Sequence, residues 1–399
     1  MKRRLTFNEL LEIIFFKIIN FTKRLNNYII FKGANDLEGN AGAFYQYLID
    51  NNYNKKYKII WLVRNEKYLN EYNEKNVKIV QWKNRNKYSI LELYYLCTAK
   101  YLIWDNEHIK ENHPLQRSIY LTHGSPIIKN VKGFIHLGDD VDHVLVPSDK
   151  VIDMMSYQYS YNSEKAFVCG LPRNDYIFDN KKYLRKLTNK EYNKIIIWLP
   201  TWRNSSLYKR NDSNSKYKFG LPLIKSIDIL NSLNKFLNEN NCLLIIKTHI
   251  LQDFQKYNLI STNNILFLTQ NDIENKKINL YSLFNETDAL VTDYSSVNFD
   301  YLLLNKPIGY VIDDFENYKN RPGFAMKNPL DVMPGDKLYS VKDLYRFIET
   351  LLKGEDNYRE SREKVNEWAN KYHDNKNCER LLKIIKKFYS FNILLVMLK

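Results

Sequence analysis

The strongest constraint on the fold of this 399-residue chain is a rhythm that runs twice. Short, unbroken apolar runs alternate with stretches whose apolar residues recur at helical spacing. In the first half 57–63 (YKIIWLV), 77–80, 101–104, 118–121, 143–146 and 166–168 read as strands, while 88–99 and a segment entered at Ser148-Asp149 read as helices. The stretch 178–194 is polar and lysine-rich and reads as an interdomain linker. The rhythm then restarts, with strands at 194–199, 242–247, 265–268, 289–291 and 308–312. Helices are expected at 226–237, 278–284 and 297–304, and three more close the chain at 341–352, 358–371 and 378–388. A strand that is apolar at nearly every position is covered on both faces, which is the mark of a parallel sheet flanked by helices. The expectation is an α/β chain with two doubly wound parallel sheets, over about 33–180 and 190–390. Ligands of such sheets sit beyond the carboxyl ends of the strands, so the post-strand loops are where chemistry is to be sought.

Charge narrows the partners. Lys and Arg total 60 against 45 Asp and Glu, a formal net charge of +15. That balance suits a polyanion: a nucleic acid, an anionic membrane face or a phosphate-rich substrate. It is spread along the chain, and a solvated lysine-rich surface accounts for most of it. The four cysteines, Cys97, Cys169, Cys242 and Cys378, are far apart and form no C-x-x-C pair, which argues for buried free thiols in a reducing compartment and against a zinc site. No run reaches the roughly 20 apolar residues of a membrane span. Residues 1–32 are expected to form an amphipathic segment, in which Leu10, Leu11, Ile14, Phe15, Ile18 and Phe21 follow helical spacing beside Lys17, Lys23 and Arg24. Such a helix suits an anionic leaflet and equally suits packing on its own domain. The apolar run 391–398 poses the same pair of alternatives. The stretch 204–214 and the chain's excess of Lys, Asn and Tyr read as compositional bias, and no repeat of fixed period is present.

Four post-strand loops carry candidate chemistry. Thr122-His123-Gly124-Ser125-Pro126 follows 118–121, and a histidine at a strand end beside glycine suits a general base acting on a bound hydroxyl. Taken alone it equally suits a loop histidine that caps or packs. Pro200-Thr201-Trp202-Arg203 offers a guanidinium able to fork two hydrogen bonds onto a phosphate, or a surface arginine beside a packed tryptophan. Lys247-Thr248-His249 puts two cationic candidates at a strand end, where a snorkelling lysine and a solvated histidine are the plainer alternative. Thr292-Asp293-Tyr294-Ser295-Ser296, ahead of the 297–304 helix, offers hydroxyls and free N–H groups for an anion, or simple capping by Asp293 or Ser295.

Taken in order, these stretches resemble one family. THGSPIIK, CGLPRND, LPTWR, KTH and VTDYSSVNFDYLLLNKPIGYVIDDFENY, followed by GF and later PG, are similar to the CDP-glycerol glycerophosphotransferases, the primases and polymerases of wall teichoic acid and related capsules. The similarity runs from about Tyr57 to about Leu382. The TDYSS…FDY…KP stretch is the most specific part. The chain departs from the family in HGSP, where HGTP preceded by tryptophan is usual, and in His249-Ile250, where His-Pro is usual. The resemblance implies two facing Rossmann-like domains of the GT-B type, with the CDP-polyol on the C-terminal domain. It implies that Thr201, Arg203, Lys247, His249, Thr292, Asp293, Ser295 and Ser296 hold the CDP-polyol, with His249 also catalytic. His123 would be the base, with Gly124, Ser125, Arg173 and Asn174 on the acceptor side of the cleft. CDP-glycerol or CDP-ribitol, a lipid-linked or glycan acceptor and an anionic membrane surface at the cytoplasmic face would be the partners. No cofactor, metal or nucleic acid is expected.

The chemistry asks for little else. An acceptor hydroxyl attacks the distal phosphorus of the CDP-polyol and CMP departs as a weakly basic anion, so its growing charge needs neutralising more than protonating. His123 acts as a base only when neutral, so turnover falls as pH drops through its pKa, about 6.5 for free histidine. Three rivals are weaker. A metal-dependent glycosyltransferase would need Asp140-Val141-Asp142 as its carboxylate pair, yet that pair precedes a strand. A sugar-transferring enzyme of the same two-domain type differs in the nucleotide released. A nucleic-acid binder fits the charge and 31 tyrosines but shows no recognition motif, and neither G-x-x-x-x-G-K-[ST] nor G-x-G-x-x-G is present.

Overall fold

The structure, a computed structural model, describes residues 14, 25–33, 35–70, 74–82, 90–106, 108–109, 113, 115–139, 141–201, 204–205, 210–211, 217, 219–247 and 259–397. The amphipathic candidate at Leu10–Phe21 lies outside the described residues, Ile14 excepted. By packing, the chain forms two compact units. The first gathers Met1–His123, Ile135–Asp175 and Lys376–Lys399, and the second Gly124–Phe134 and Tyr176–Asn375.

The first unit is a seven-stranded sheet. In chain order it comprises β1 (Asn26–Lys32), α1 (Gly39–Asp50), β2 (Lys58–Val63), β3 (Val77–Gln81), α2 (Ile90–Thr98), β4 (Ala99–Trp104), β5 (Arg117–Tyr120), β6 (His143–Val146), α3 (Ile152–Tyr159) and β7 (Ala166–Val168). Strand order is β3-β2-β1-β4-β5-β6-β7 and every pairing is parallel. Ile30 at the centre pairs with Ile60 on one side and Leu102 on the other. Helices cover both faces, which is why KIIWLV in β2 can be apolar throughout. Phe31 and Trp61 stack at 5.4 Å in the core, and Tyr45 of α1 meets Trp61 edge-on at 5.7 Å.

Two expectations are corrected here. Residues 26–32 belong to no amphipathic helix; they are β1, an interior strand held by pairing on both edges. The closing helix Asn377–Met397 packs on the first unit, because Asp175 accepts from the N–H groups of Asn377 and Cys378, both at 2.9 Å. Its Cys378, Leu381, Leu382 and Ile385 enter the first core, so residues 376–390 belong to the first unit and not to the 190–390 body expected for them.

The second unit repeats the plan with β8 (Lys194–Trp198), α4 (Ile227–Glu239), β9 (Cys242–Lys247), β10 (Ile265–Leu268), α5 (Gln270–Asn275), α6 (Leu280–Phe284), β11 (Ala289–Thr292), α7 (Val297–Tyr301), β12 (Ile308–Val311), α8 (Phe315–Asn320), β13 (Asp336–Leu338), α9 (Val341–Lys353) and α10 (Arg359–Ala369). Its strand order is β10-β9-β8-β11-β12-β13, again all parallel. Both sheets therefore reverse direction once, between β1 and β4 in the first and between β8 and β11 in the second. Ligand crevices of doubly wound sheets open at such switch points. Stretch 124–134 joins this unit by main chain: Lys129 bridges Phe324, Asn130 N–H donates to Gly323 at 3.1 Å and Ala325 N–H to Ile128 at 2.8 Å. The lysine-rich 178–194 stretch is tied down as well. Glu286 accepts from Leu184 N–H at 3.0 Å, and Lys186 reaches the carbonyls of Lys276 and Lys277 at 2.9 and 2.8 Å. All four cysteines are buried free thiols. Among the described residues no helix is long and apolar enough to cross a membrane.

Candidate functional site

In the first unit the chain turns sharply after β5. Thr122 is wholly buried at φ 53°, in the left-handed region that a β-branched residue enters at a cost of about 1–3 kcal/mol. Three successive carbonyls around it are held by side chains. Asn40, buried in the first turn of α1, donates Nδ2 to Leu121 O at 3.0 Å and to Thr122 O at 2.8 Å. Arg173 donates Nη1 to His123 O at 2.6 Å, and its own N–H donates to Asn40 Oδ1 at 3.2 Å. Thr122 Oγ1 lies 3.3 Å from the phenol of Tyr159, whose pKa burial pushes up, so that phenol stays a neutral partner. His123 itself is exposed. Asn40 is placed in turn by Asp105 at the end of β4, which accepts from Ala41 N–H at 3.2 Å. An added Cβ at Gly39 would fall 2.6 Å from Asp105 Oδ2, and Gly39 sits at φ 69°, so glycine is required there.

The second unit brings two predicted loops together at its switch point. Thr292 and Asp293, both fully buried, reach across to the loop after β8. Thr292 Oγ1 donates to Leu199 O at 3.0 Å, while Asp293 Oδ2 accepts from Thr201 N–H at 2.9 Å and Thr201 Oγ1 at 2.7 Å. Hydrogen bonds to a charged group contribute roughly 1.5–3 kcal/mol each, so Asp293 is a firm anchor for that loop. Ser295 and Ser296 remain half-buried at the entry to α7, where Ser295 Oγ accepts from Val297 N–H at 3.4 Å. Gly124 comes close: a Cβ there would fall 2.6 Å from Ser296 Oγ. Ser125, next along, is buried.

The rest of the specific motif is spent on folding. Tyr294 donates to Asp314 at 3.2 Å and packs on Tyr318 at 4.1 Å. Asp300 accepts from Tyr281 at 3.1 Å, and Lys306 donates to the carbonyls of Asn285 and Thr287 at 2.8 and 2.6 Å. Lys247 closes β9, half-buried, opposite Leu268. Asn174 is buried beside Arg173. Arg203 and His249 lie outside the described residues, as does Asp140. Asp142 caps the start of β5, accepting from Ser118 N–H at 3.0 Å, at the amino ends of the strands and away from the post-strand loops. Among the described residues no cluster of His, Cys, Asp and Glu is arranged to hold a metal ion.

Asn40, Asp105 and Tyr159 were not singled out in the sequence. The signal was present in part: the apolar YIIF of β1, then a turn rich in Asn and Asp, then Gly39-Asn40 opening a helix.

Comparison with known proteins shows the family and the fold. The teichoic acid poly(glycerol phosphate) polymerase of Bacillus spizizenii is 28% identical over 348 residues, 78% of this chain and 80% of that protein. The teichoic acid glycerol-phosphate primase of Bacillus subtilis is 24% identical over 376 residues, covering 88% and 90%. The solved structure of the wall teichoic acid polymerase TagF superposes with a TM-score of 0.72 at 20% identity, covering 96% of each chain, a likeness of fold that joins this chain to the two-domain GT-B type. The family model for CDP-glycerol:poly(glycerophosphate) glycerophosphotransferases matches residues 14–387, starting well ahead of the first motif read from the sequence. With that match over nearly its whole length, the chain belongs to the CDP-glycerol:poly(glycerophosphate) glycerophosphotransferase family and is a transferase of that class.

Proposed function

We propose that this chain transfers a polyol phosphate, glycerol phosphate before ribitol phosphate, from a CDP-polyol to a hydroxyl of a lipid-linked or glycan acceptor, releasing CMP, in the synthesis of a teichoic acid or capsule-like polymer. The observation that carries the reading is the pinned turn that presents an exposed His123 after β5. Neutral His123 takes the proton of the acceptor hydroxyl as its oxygen forms a bond to the distal phosphorus. The bond from that phosphorus to the bridging oxygen breaks, and its electron pair leaves with CMP. Ser295 and Ser296 are the hydroxyls that hold the CDP-polyol phosphates, with Arg203, Lys247 and His249 as the cationic groups assigned by the motif. Thr292 and Asp293 serve the same site through the Thr201 loop they anchor. Gly124, Ser125, Arg173 and Asn174 belong to the acceptor side.

An anionic membrane surface at the cytoplasmic face, where a lipid-linked acceptor would be met, suits the net charge of +15. Purified protein should release CMP from CDP-glycerol or CDP-ribitol in the presence of a lipid-linked glycerol phosphate acceptor. Release of UDP from a UDP-sugar instead would replace this reading with sugar transfer. His123→Ala should abolish CMP release while CDP-glycerol binding persists, and turnover retained by that variant would remove His123 from the mechanism.

A further inference from the structure

We propose that Asn40 is a positioning residue for His123, acting through the main chain of the turn after β5. The inference rests on the reading of His123 as the base. Asn40 lies more than 80 positions from the turn in sequence, on a different element, and its side chain is fully buried. It performs three tasks that need a primary carboxamide: two N–H donations to Leu121 O and Thr122 O, and one acceptance from Arg173 N–H. Aspartate at this position would set carboxylate oxygens against two carbonyl oxygens. Arg173 closes the ring by donating to His123 O.

The ring surrounds a residue in an unfavourable conformation. A buried threonine at φ 53° persists only where its surroundings over-determine it. The Asn40 and Arg173 bonds supply that determination from the β1–α1 side and the β7 side at once. Their effect is to fix the Cα from which the imidazole springs, and displacement by about 1 Å of a reacting group costs on the order of a hundredfold in rate. Gln116 provides an internal comparison. It too is fully buried and donates its amide to two carbonyls, Leu96 O at 2.7 Å and Ala99 O at 2.9 Å, but these lie at the opposite end of β5.

The test uses the full chain, CDP-glycerol and a synthetic lipid-linked glycerol phosphate acceptor. Asn40→Asp should lower kcat by about a hundredfold and leave the Kd for CDP-glycerol within about twofold, whereas Gln116→Glu should lower the thermal midpoint and keep kcat. Wild-type kcat for Asn40→Asp, or a loss matched by Gln116→Glu at equal destabilisation, overturns the inference. If Asn40→Asp does not fold, Asn40→Ser decides, since a single hydroxyl proton can serve at most one of the two carbonyls that the carboxamide holds. A lower kcat with unchanged Kd supports the proposal and an unchanged kcat refutes it. An active His123→Ala would instead sink the base assignment, a result separable from an inactive His123→Ala beside a fully active Asn40→Asp.

Discussion

Gly124→Ala offers a direct probe of the phosphate-binding role proposed for Ser296. Gly124 and Ser296 belong to the same packed unit, and an ideal Cβ at Gly124 falls 2.6 Å from Ser296 Oγ and 3.6 Å from its Cβ. Heavy atoms in contact sit at about 3.5 Å, so roughly 1 Å must be found. The Cβ contact is already ordinary, and the cheapest relief is rotation of the Ser296 hydroxyl to another rotamer. That swings the hydroxyl away from the place where a phosphate oxygen of CDP-glycerol would meet it. Losing a hydrogen bond to a charged group costs about 1.5–3 kcal/mol, and 1.4 kcal/mol is tenfold in affinity, so the Kd should rise roughly ten- to a hundredfold. Calorimetric titration of CDP-glycerol reads this without any acceptor. Ser296→Ala should weaken binding by a similar factor, and Gly124→Ala added to it should do no more, because the atom it collides with is gone. Gly124→Ala with wild-type affinity, or effects that simply add, would refute the reasoning.

Three other outcomes are expected. Ser295→Ala combined with Ser296→Ala should weaken CDP-glycerol binding by more than either alone, with kcat at saturating substrate far less affected; an unchanged Kd in the same titration counts against the site. Asp293→Ala strips an acceptor from Thr201 N–H and Oγ1 and should destabilise the second unit by about 3 kcal/mol or more, read as a shifted denaturant midpoint in tryptophan fluorescence; an unshifted midpoint contradicts the anchoring role. Acid should loosen the closing helix, because His143 of β6 stacks on its Phe388 with ring centroids 3.4 Å apart. Burial lowers the His143 pKa to about 4, with Asp142 opposing and Arg117 and Lys165 assisting. The unfolded chain takes up this proton near pH 6.5 and the folded chain only near 4, so stability is complete above the first value and is lost as pH falls through that window, by about 2 kcal/mol at pH 5. Hydrogen exchange along the closing helix should therefore quicken between pH 7 and 5 once corrected for intrinsic rates, and His143→Phe should remove that dependence; identical behaviour of the two proteins defeats the prediction.

Periodicity and local motif were enough for much of this protein. Runs such as KIIWLV and CLLIIK announce strands covered on both faces, because a central parallel strand has no solvent side on which to place polar residues. The order of the post-strand motifs pointed to the family and so to the reaction. Other elements were hidden because their stability comes from pairing. β1 opens with Asn26 and Asn27 and closes with Lys32, yet it is central because both edges are occupied. β13 has only Asp336, Lys337 and Leu338 and exists through its register with Gly309, Tyr310 and Val311. The closing helix could be read from its spacing, but its attachment to the first unit depends on Asp175, some 200 positions earlier.

The candidate site divides along the same line. His123, Ser295 and Ser296 were legible because strand ends and helix entries are written in neighbouring residues. Their supports were not. Asn40 with Thr122, Asp293 with Thr201 and Gly124 with Ser296 are each joined across more than 80 positions of chain. A sequence states which groups are available, since propensity and hydrophobic period act over a few residues. Which carbonyl meets which amide is decided only when the sheet order sets distant loops side by side.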